Sequence, residues 1–281
     1  MRASLDCFPC FLDQALRAGR MWTDDEKQLK RLLDEVAMLL RDIPLESTPP
    51  EVGRRIYQRI REITGKDDPY QEIKERSTKR ALNLYPELKT KVDTSRSRLL
   101  TAMRIAIAGN VIDFGANAGF DVERAIQDAL EKDFAICDYE EFTRCLKDAD
   151  EVLYIGDNAG EAVFDRILIE EIERPVTFVV RGGPIINDVT SADAIQAGLD
   201  KVATIMSSGT DAPGTILQTC NSDFTESFDN ATCIISKGQG NYEALSDQKR
   251  PIFFLLLVKC RVIAEHLGVS VGDIVMKGNN T

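Results

Sequence analysis

From Glu151 onward the chain repeats one unit: a short apolar, β-branched run, a small polar turn, and a helical stretch. Val152-Leu153-Tyr154-Ile155 leads into Gly156-Asp157-Asn158-Ala159-Gly160 and a helix to about Ile172. Pro175 to Arg181 reads as a second strand, ending in Gly182-Gly183-Pro184, and a helix near Ser191 to Ala197 leads to a third, Lys201 to Met206. Ser207-Ser208-Gly209 then turns the chain; Ala231 to Ser236 and Ile252 to Val258 are the fourth and fifth strands, with a helix after the last to Leu267. Strands alternating with helices predict a mostly parallel sheet covered on both faces, because each crossover helix must bury its apolar side against it. The expected class is therefore α/β, with three α/β/α layers.

The preceding sequence has a different grammar. Pro9 to Met21 and Asp24 to Ile43 carry apolar residues at helical spacing, for example Leu29, Leu32, Leu33, Val36 and Leu40. Thr48-Pro49-Pro50-Glu51 starts a third helix, where proline is tolerated, and Asp67-Asp68-Pro69-Tyr70 starts another. Leu99 to Ile112 is apolar nearly all round and is expected to join the core of the following domain. The organisation expected is a helical N-terminal region, 1–95, followed by an α/β/α domain, 96–281.

Bulk properties narrow the function. A net charge of -11 argues against a surface built for nucleic acid, which needs clustered Lys and Arg. The most apolar run, Ile252 to Val258, is far too short to cross a bilayer, and no signal-peptide stretch opens the chain, so a cytoplasmic protein without a membrane partner is expected. Seven cysteines, an odd number, suit reduced thiols better than a disulfide framework. A single histidine, His266, argues against a His-based triad and excludes a multi-histidine metal site.

In open α/β sheets, ligands sit beyond the carboxyl ends of the strands. Asp157-Asn158 follow the first strand, Asn187-Asp188 the second, Ser207-Ser208-Gly209 the third, and Lys237-Gly238-Gln239-Gly240-Asn241 the fourth. Carboxylates with a carboxamide oxygen are hard ligands, suited to Mg²⁺, Mn²⁺ and similar divalent ions. Gly-rich turns expose backbone N–H groups that bind anions, and Lys237 adds a positive point charge. Each element alone has a plain structural explanation: Asp-Asn after a strand is a routine cap, and Lys-Gly a routine turn. Their recurrence at separate strand ends is what points to a site.

Gly156-Asp157-Asn158-Ala159-Gly160-Glu161, Asn187-Asp188-Val189-Thr190 and Lys237-Gly238-Gln239-Gly240-Asn241 resemble the signatures of the damage-control phosphatases, domain of unknown function 89. Ala108-Gly109-Asn110 with Asp113 resembles a further element, and Cys7-Phe8-Pro9-Cys10 and Lys259-Cys260 resemble the prokaryotic branch. The resemblance implies hydrolysis of a small phosphorylated metabolite, such as a sugar phosphate or a damaged phosphometabolite, dependent on a divalent metal cation (Mg, Mn, Co or Ni). It implies Asp157, Asn158 and Asp188 as metal ligands and Lys237 facing the phosphoryl group. Asn110, Asp113 and Glu161 are then expected in or near the site, with Asp113 or Glu161 as base. Ser207, Ser208, Gly209, Gly238 and Asn241 are the expected substrate-binding set, together with Asn110 and Lys237. Attack by activated water and attack by Asp157 both remain open.

Two other classes compete. Val152 to Glu161 superficially matches the strand and glycine loop of an S-adenosylmethionine-dependent methyltransferase, although Asp157-Asn158 stand where further glycine is expected. A non-catalytic metal- or metabolite-binding module would keep the same fold. Cys7-x-x-Cys10 with Cys260 reads as buried free thiols first, and as a second metal site or a disulfide after that.

Overall fold

The computed structural model describes residues 1–110, 127–128 and 130–279. Three helices come first: α1 (Cys7–Arg20), α2 (Glu26–Arg41) and α3 (Pro49–Thr64). A capping box starts α3 at the predicted place, since the Thr48 hydroxyl accepts from the Glu51 N–H and the Glu51 carboxylate accepts from the Thr48 N–H at 2.7 Å. Phe11, Ala15, Leu32, Val36, Ile56 and Ile60 form the common core of the trio.

Helices α4 (Gln71–Asp93) and α5 (Arg98–Ala108) pack elsewhere. Ala81, Leu88 and Val92 of α4, and Met103 and Ile107 of α5, join the core on one face of the sheet. The sheet region then runs β1 (Phe134–Cys137), α6 (Tyr139–Asp148), β2 (Val152–Ile155), α7 (Ala162–Ile169), β3 (Val176–Val180), α8 (Ser191–Gln196) and β4 (Thr204–Ser207). It continues through α9 (Ser222–Asn230), β5 (Ile234–Lys237), α10 (Gln239–Leu245), β6 (Ile252–Leu257), α11 (Arg261–Leu267) and β7 (Ile274–Asn279).

The seven strands lie in the order β1-β7-β6-β5-β2-β3-β4. Every pairing is parallel except β6 with β7, so β1 and β7 run against the other five. Successive residues of β2 serve opposite faces. Val152 and Tyr154 point to the layer of α4, α5 and α7; Leu153 and Ile155 point to that of Phe224, Leu245 and Ile263 on α9, α10 and α11. The mostly parallel three-layer α/β/α architecture is thus present.

Several expectations need correction. The third strand starts at Thr204 rather than Lys201, because Leu199–Lys201 form a 3₁₀ turn after Gly198, whose φ is +80°. The fourth is shifted to Ile234–Lys237, which makes Lys237 its last residue. Two strands and three helices were not foreseen. β1 is a four-residue edge strand of half-buried and exposed residues, and β7 has three apolar residues before Lys277-Gly278-Asn279. α6 starts in acidic residues and buries only Phe142 and Leu146; α9 is polar apart from its buried pair Phe224 and Phe228; and α10 begins inside a glycine-rich turn. Val111 and Ile112, placed by the sequence in the apolar helix, lie outside the described residues. No helix among the described residues is long and apolar enough to cross a membrane.

Candidate active site

The connection order places the site. From β2 the chain moves to β3 and β4 on one side, then returns to β5 and β6 on the other. The β2–β5 junction is therefore a topological switch point, where loops diverge and leave a crevice beyond the carboxyl ends. Asp157 leaves β2 and Gly238 leaves β5 at this junction. Gly238 has a φ of +79°, and a Cβ there would stand 1.9 Å from the Asp157 Oδ2, so only glycine leaves room for that carboxylate.

The β2 and β3 loops are tied together through their backbones. The Val189 N–H donates to the Asp157 carbonyl at 2.8 Å, the Ala159 N–H donates to that of Asn187 at 2.9 Å, and Asn158 bridges Asp188 in antiparallel fashion. Ile186 takes a left-handed φ of +46° in the tight turn, where the Asp188 N–H reaches the Ile185 carbonyl. Sheet register and this turn thus bring Asp157, Asn158 and Asp188 together across 31 residues of sequence.

Their electrostatics are unbalanced. Asp157 is 8% exposed and Asp188 4%. Burial pushes the Asp157 carboxyl well above its usual range, and the neighbouring Glu161 and Asp188 push it further. Burial also raises Asp188, although the Arg181 guanidinium offsets part of that shift. The Arg181 Nε donates to Asp188 at 2.7 Å, while its two other nitrogens reach the Thr215 hydroxyl at 2.9 Å and the Asn241 Oδ1 at 3.0 Å. The planar fork is therefore fixed at three points. The Asn158 amide donates to Asp157 at 3.0 Å and to Glu161 at 3.4 Å, which fixes the carboxamide beside both acids.

Lys237 forms a second charge cluster below. It is 1% exposed. Its ammonium donates to Asp165 at 2.5 Å and to the Ala106 carbonyl at 2.9 Å, and lies 3.5 Å from a Glu161 oxygen. Burial alone would lower the Lys237 pKa, but Asp165 and Glu161 override it and hold the ammonium charged. Asp165 rises to about 6 through burial, despite Lys237 and the Tyr154 hydroxyl that donates to it at 2.7 Å.

Above the acids lies a cavity of about 480 Å³, within the usual size of a small-molecule site. Asp157, Asn158 and Asp188 line it on the sheet side. Phe11 of α1, Gly53 and Tyr57 of α3, and Tyr70 face them from the helical region. Gln239, Glu243, Lys259 and Cys260 contribute a third wall. Burial raises Glu243 to about 7, against the Gln239 amide that donates to it at 3.0 Å.

The other expected residues are distributed unevenly. Glu161 is fully buried beneath Asp157, with one oxygen lacking a hydrogen bond among the described residues. Asn110 is buried at the end of α5, and its Oδ1 likewise lacks a partner among them. Asn241 is buried as a hub, accepting from Arg181 and Thr215 and donating to the Gly156 and Lys237 carbonyls. The 207–209 turn is not part of the cavity wall. The Ser208 hydroxyl donates to the Val180 carbonyl at 2.8 Å, the Ser207 carbonyl accepts from Asn221, and Gly209 packs against Gly182. Asp113 lies outside the described residues. Sequence reasoning missed Arg181 as a site residue, and with it Asp165, Glu243 and the tyrosines. Asp165 had a signal, since it stands four residues after Glu161 and so on the same helical face.

The chain is similar to known proteins along nearly its whole length. Residues 3–275 match the family model described as the damage-control phosphatase ARMT1-like domain. A damage-control phosphatase of Archaeoglobus fulgidus is 36% identical over 99% of both chains, as is one of Pyrococcus horikoshii. An uncharacterized protein of Methanocaldococcus jannaschii is 37% identical over 96% of this chain and 93% of its own. The crystal structure of a DUF89 family protein from Pyrococcus horikoshii superposes with a TM-score of 0.91, at 36% identity and full coverage of both chains.

Proposed function

The chain belongs to the ARMT1-like damage-control phosphatase family, and from that premise we propose that it is a metal-dependent phosphomonoester hydrolase acting on a small phosphorylated metabolite. One observation carries this reading: two buried carboxylates with raised pKa face a metabolite-sized cavity at the switch point of the sheet.

The residues fit a hard divalent cation. Among the described residues no three His, Cys, Asp or Glu side chains converge to hold a metal by themselves, so the donor set proposed is Asp157 and Asp188 with the Asn158 carboxamide oxygen. Such a set is all-oxygen and leaves coordination places open, which suits Mg²⁺, Mn²⁺, Co²⁺ or Ni²⁺. A positive ion would also offset the burial and the repulsion from Glu161 that raise both acids. When bound it would supply Lewis-acid polarisation of a phosphoryl oxygen and a lowered pKa for water.

The chain's own groups do the rest. Arg181 orients Asp188 through its Nε, and Asn241 and Thr215 keep the guanidinium from turning. Lys237 holds positive charge under Glu161 and Asp165, offsetting charge that develops above them. Water is the proposed nucleophile and Glu161, held beside Asp157 by the Asn158 amide, the proposed base. The Gly240 N–H, in the first turn of α10 and on the cavity wall, is offered to the phosphoryl oxygens. All seven cysteines are free, which supports the cytoplasm as the compartment.

The test is a screen of metal-stripped protein against sugar phosphates, phosphometabolites and p-nitrophenyl phosphate, each with Mg²⁺, Mn²⁺, Co²⁺ or Ni²⁺. Phosphate release dependent on one of these ions is expected. Absence of turnover with every ion and ester, by folded protein, would refute the reading.

A further inference from the structure

Three of the seven cysteines line the cavity wall, and nothing in the phosphatase reading uses them. Cys7 and Cys10 come from the first turn of α1, and Cys260 from the residue that precedes α11. The three sulfurs therefore reach one cavity from segments about 250 residues apart in sequence.

Cys7 and Cys10 are three residues apart on one helical turn. Residues at that spacing have neighbouring side chains, with Cβ atoms about 5–6 Å apart. A disulfide needs Cβ atoms about 3.5–4.5 Å apart, so a small adjustment of a terminal turn suffices to close the bond. Pro9, between them, has no N–H to lose from that turn. The two thiols differ in access, because Cys10 is exposed and Cys7 half-buried. Burial raises the Cys7 thiol, with Glu243, Cys260 and Cys10 adding to the effect against a hydrogen bond from the Ser4 backbone. The Gln14 amide donates to the Cys10 sulfur at 3.3 Å.

We propose that Cys7 and Cys10 form a reversible dithiol–disulfide site on the wall of the cavity, oxidised by small-molecule disulfides. The Cys10 thiolate attacks one sulfur of the oxidant, forming a mixed disulfide and releasing one equivalent of thiol. Cys7, losing its proton, then attacks the Cys10 sulfur. The intramolecular bond forms and the second equivalent of thiol leaves. Two protein thiols are oxidised and one disulfide is reduced to two thiols, so electrons and protons balance. The wall that faces Asp157 and Asp188 thereby changes shape with the thiol poise of its surroundings. Its effect on turnover rests on the phosphatase reading; the bond itself does not.

The experiment treats the full chain with oxidised glutathione, blocks remaining thiols by alkylation, and maps the peptides by mass. Cys7 and Cys10 are expected to lose two hydrogens together and to resist alkylation, and dithiothreitol should restore both. Cys137, exposed and outside the cavity, serves as the internal control. Cys7→Ser should accumulate a stable glutathione adduct on Cys10. Alkylation of Cys7 and Cys10 to the same extent as Cys137 would overturn the proposal, as would a Cys10–Cys260 bond in Cys7→Ser. In the same samples, the KM for p-nitrophenyl phosphate should shift at least about threefold on oxidation and return on reduction; an unchanged KM would reject the link to the cavity. Should no turnover occur in either form, the phosphatase reading fails while the peptide map still decides the thiol chemistry.

Discussion

The loops that follow β2 and β3 and the loop that follows β4 look alike as sequence, short runs of glycine, serine, asparagine and aspartate at strand ends. In three dimensions they are opposites. Asp157 and Asp188 face a cavity with burial and repulsion from Glu161 raising both carboxyls. Ser207, Ser208 and Gly209 spend their polar groups on Val180, Asn221 and the close approach to Gly182. Asp211, beyond them, is held low despite its burial by Arg54, Gln58 and Arg61 of α3, which ties that loop to the helical region. Polar residues at a strand end are thus candidates for function where their electrostatics are left unmet, and serve structure where they are met.

The strongest way to break this contrast is Asp157→Asn or Asp188→Asn. Each should reduce kcat/KM by at least about a hundredfold, the scale for losing one well-placed charge-stabilising group. Asp157→Asn should also raise the Tm of the cation-free protein, because a repelled buried charge is removed, whereas Asp188→Asn also gives up the buried ion pair with Arg181 and should not. Steady-state kinetics and thermal unfolding on the same preparation check both. A variant that loses stability and keeps activity would assign these acids to structure.

Lys237→Ala tests the layer beneath. It strands Glu161 and Asp165 without their buried cation, and breaking such a pair costs about 3–5 kcal/mol. Urea unfolding should show that loss, and Asp165→Asn in the same chain should recover part of it. A stability unchanged from wild type would mean that the ammonium is not needed by these acids.

The pH dependence is smaller and has a definite sign. Asp165 rises to about 6 and Glu243 to about 7 in the folded chain. Their unfolded counterparts release protons near 4, so the folded state binds more protons between about pH 4 and 7. This contribution to stability is complete at the acid end of that window and is lost as pH rises through it. Unfolding of the cation-free protein from pH 4.5 to 7.5 should show the decline, and Glu243→Gln should flatten it.

The smallest effect belongs to the loop after β4. Ser208→Ala removes one buried hydrogen bond and should cost about 1 kcal/mol in unfolding free energy. Its kcat/KM should stay within about twofold of wild type. A tenfold loss of activity would return this loop to the site.

The parallel strands and their polar ends were legible because each strand is a run of β-branched and aromatic residues closed by turn chemistry. Asp157, Asn158 and Asp188 were found that way, and their approach in space follows from the pairing of β2 with β3. The edge elements were not legible. β7 is antiparallel to β6 and owes its place to pairing rather than to a long apolar run, and α9 buries only two phenylalanines. Arg181 was read only as the last residue of the second strand, and the methyltransferase class is set aside by the family match. Its role depends on three partners, at positions 188, 215 and 241, that no local pattern links. Glu243 and Tyr57 reach the cavity from helices whose packing is set by tertiary contacts, so their sequence neighbourhoods carry no signal.

The most direct measurement pairs cation binding with turnover in one titration. Metal-stripped wild type and Asp188→Asn are titrated with Mn²⁺ by calorimetry while p-nitrophenyl phosphate hydrolysis is followed in parallel. The account predicts that wild type binds the ion and gains activity along the same isotherm, and that Asp188→Asn loses both. Full activity of the stripped wild type in excess chelator, or unchanged binding and turnover in Asp188→Asn, would contradict it.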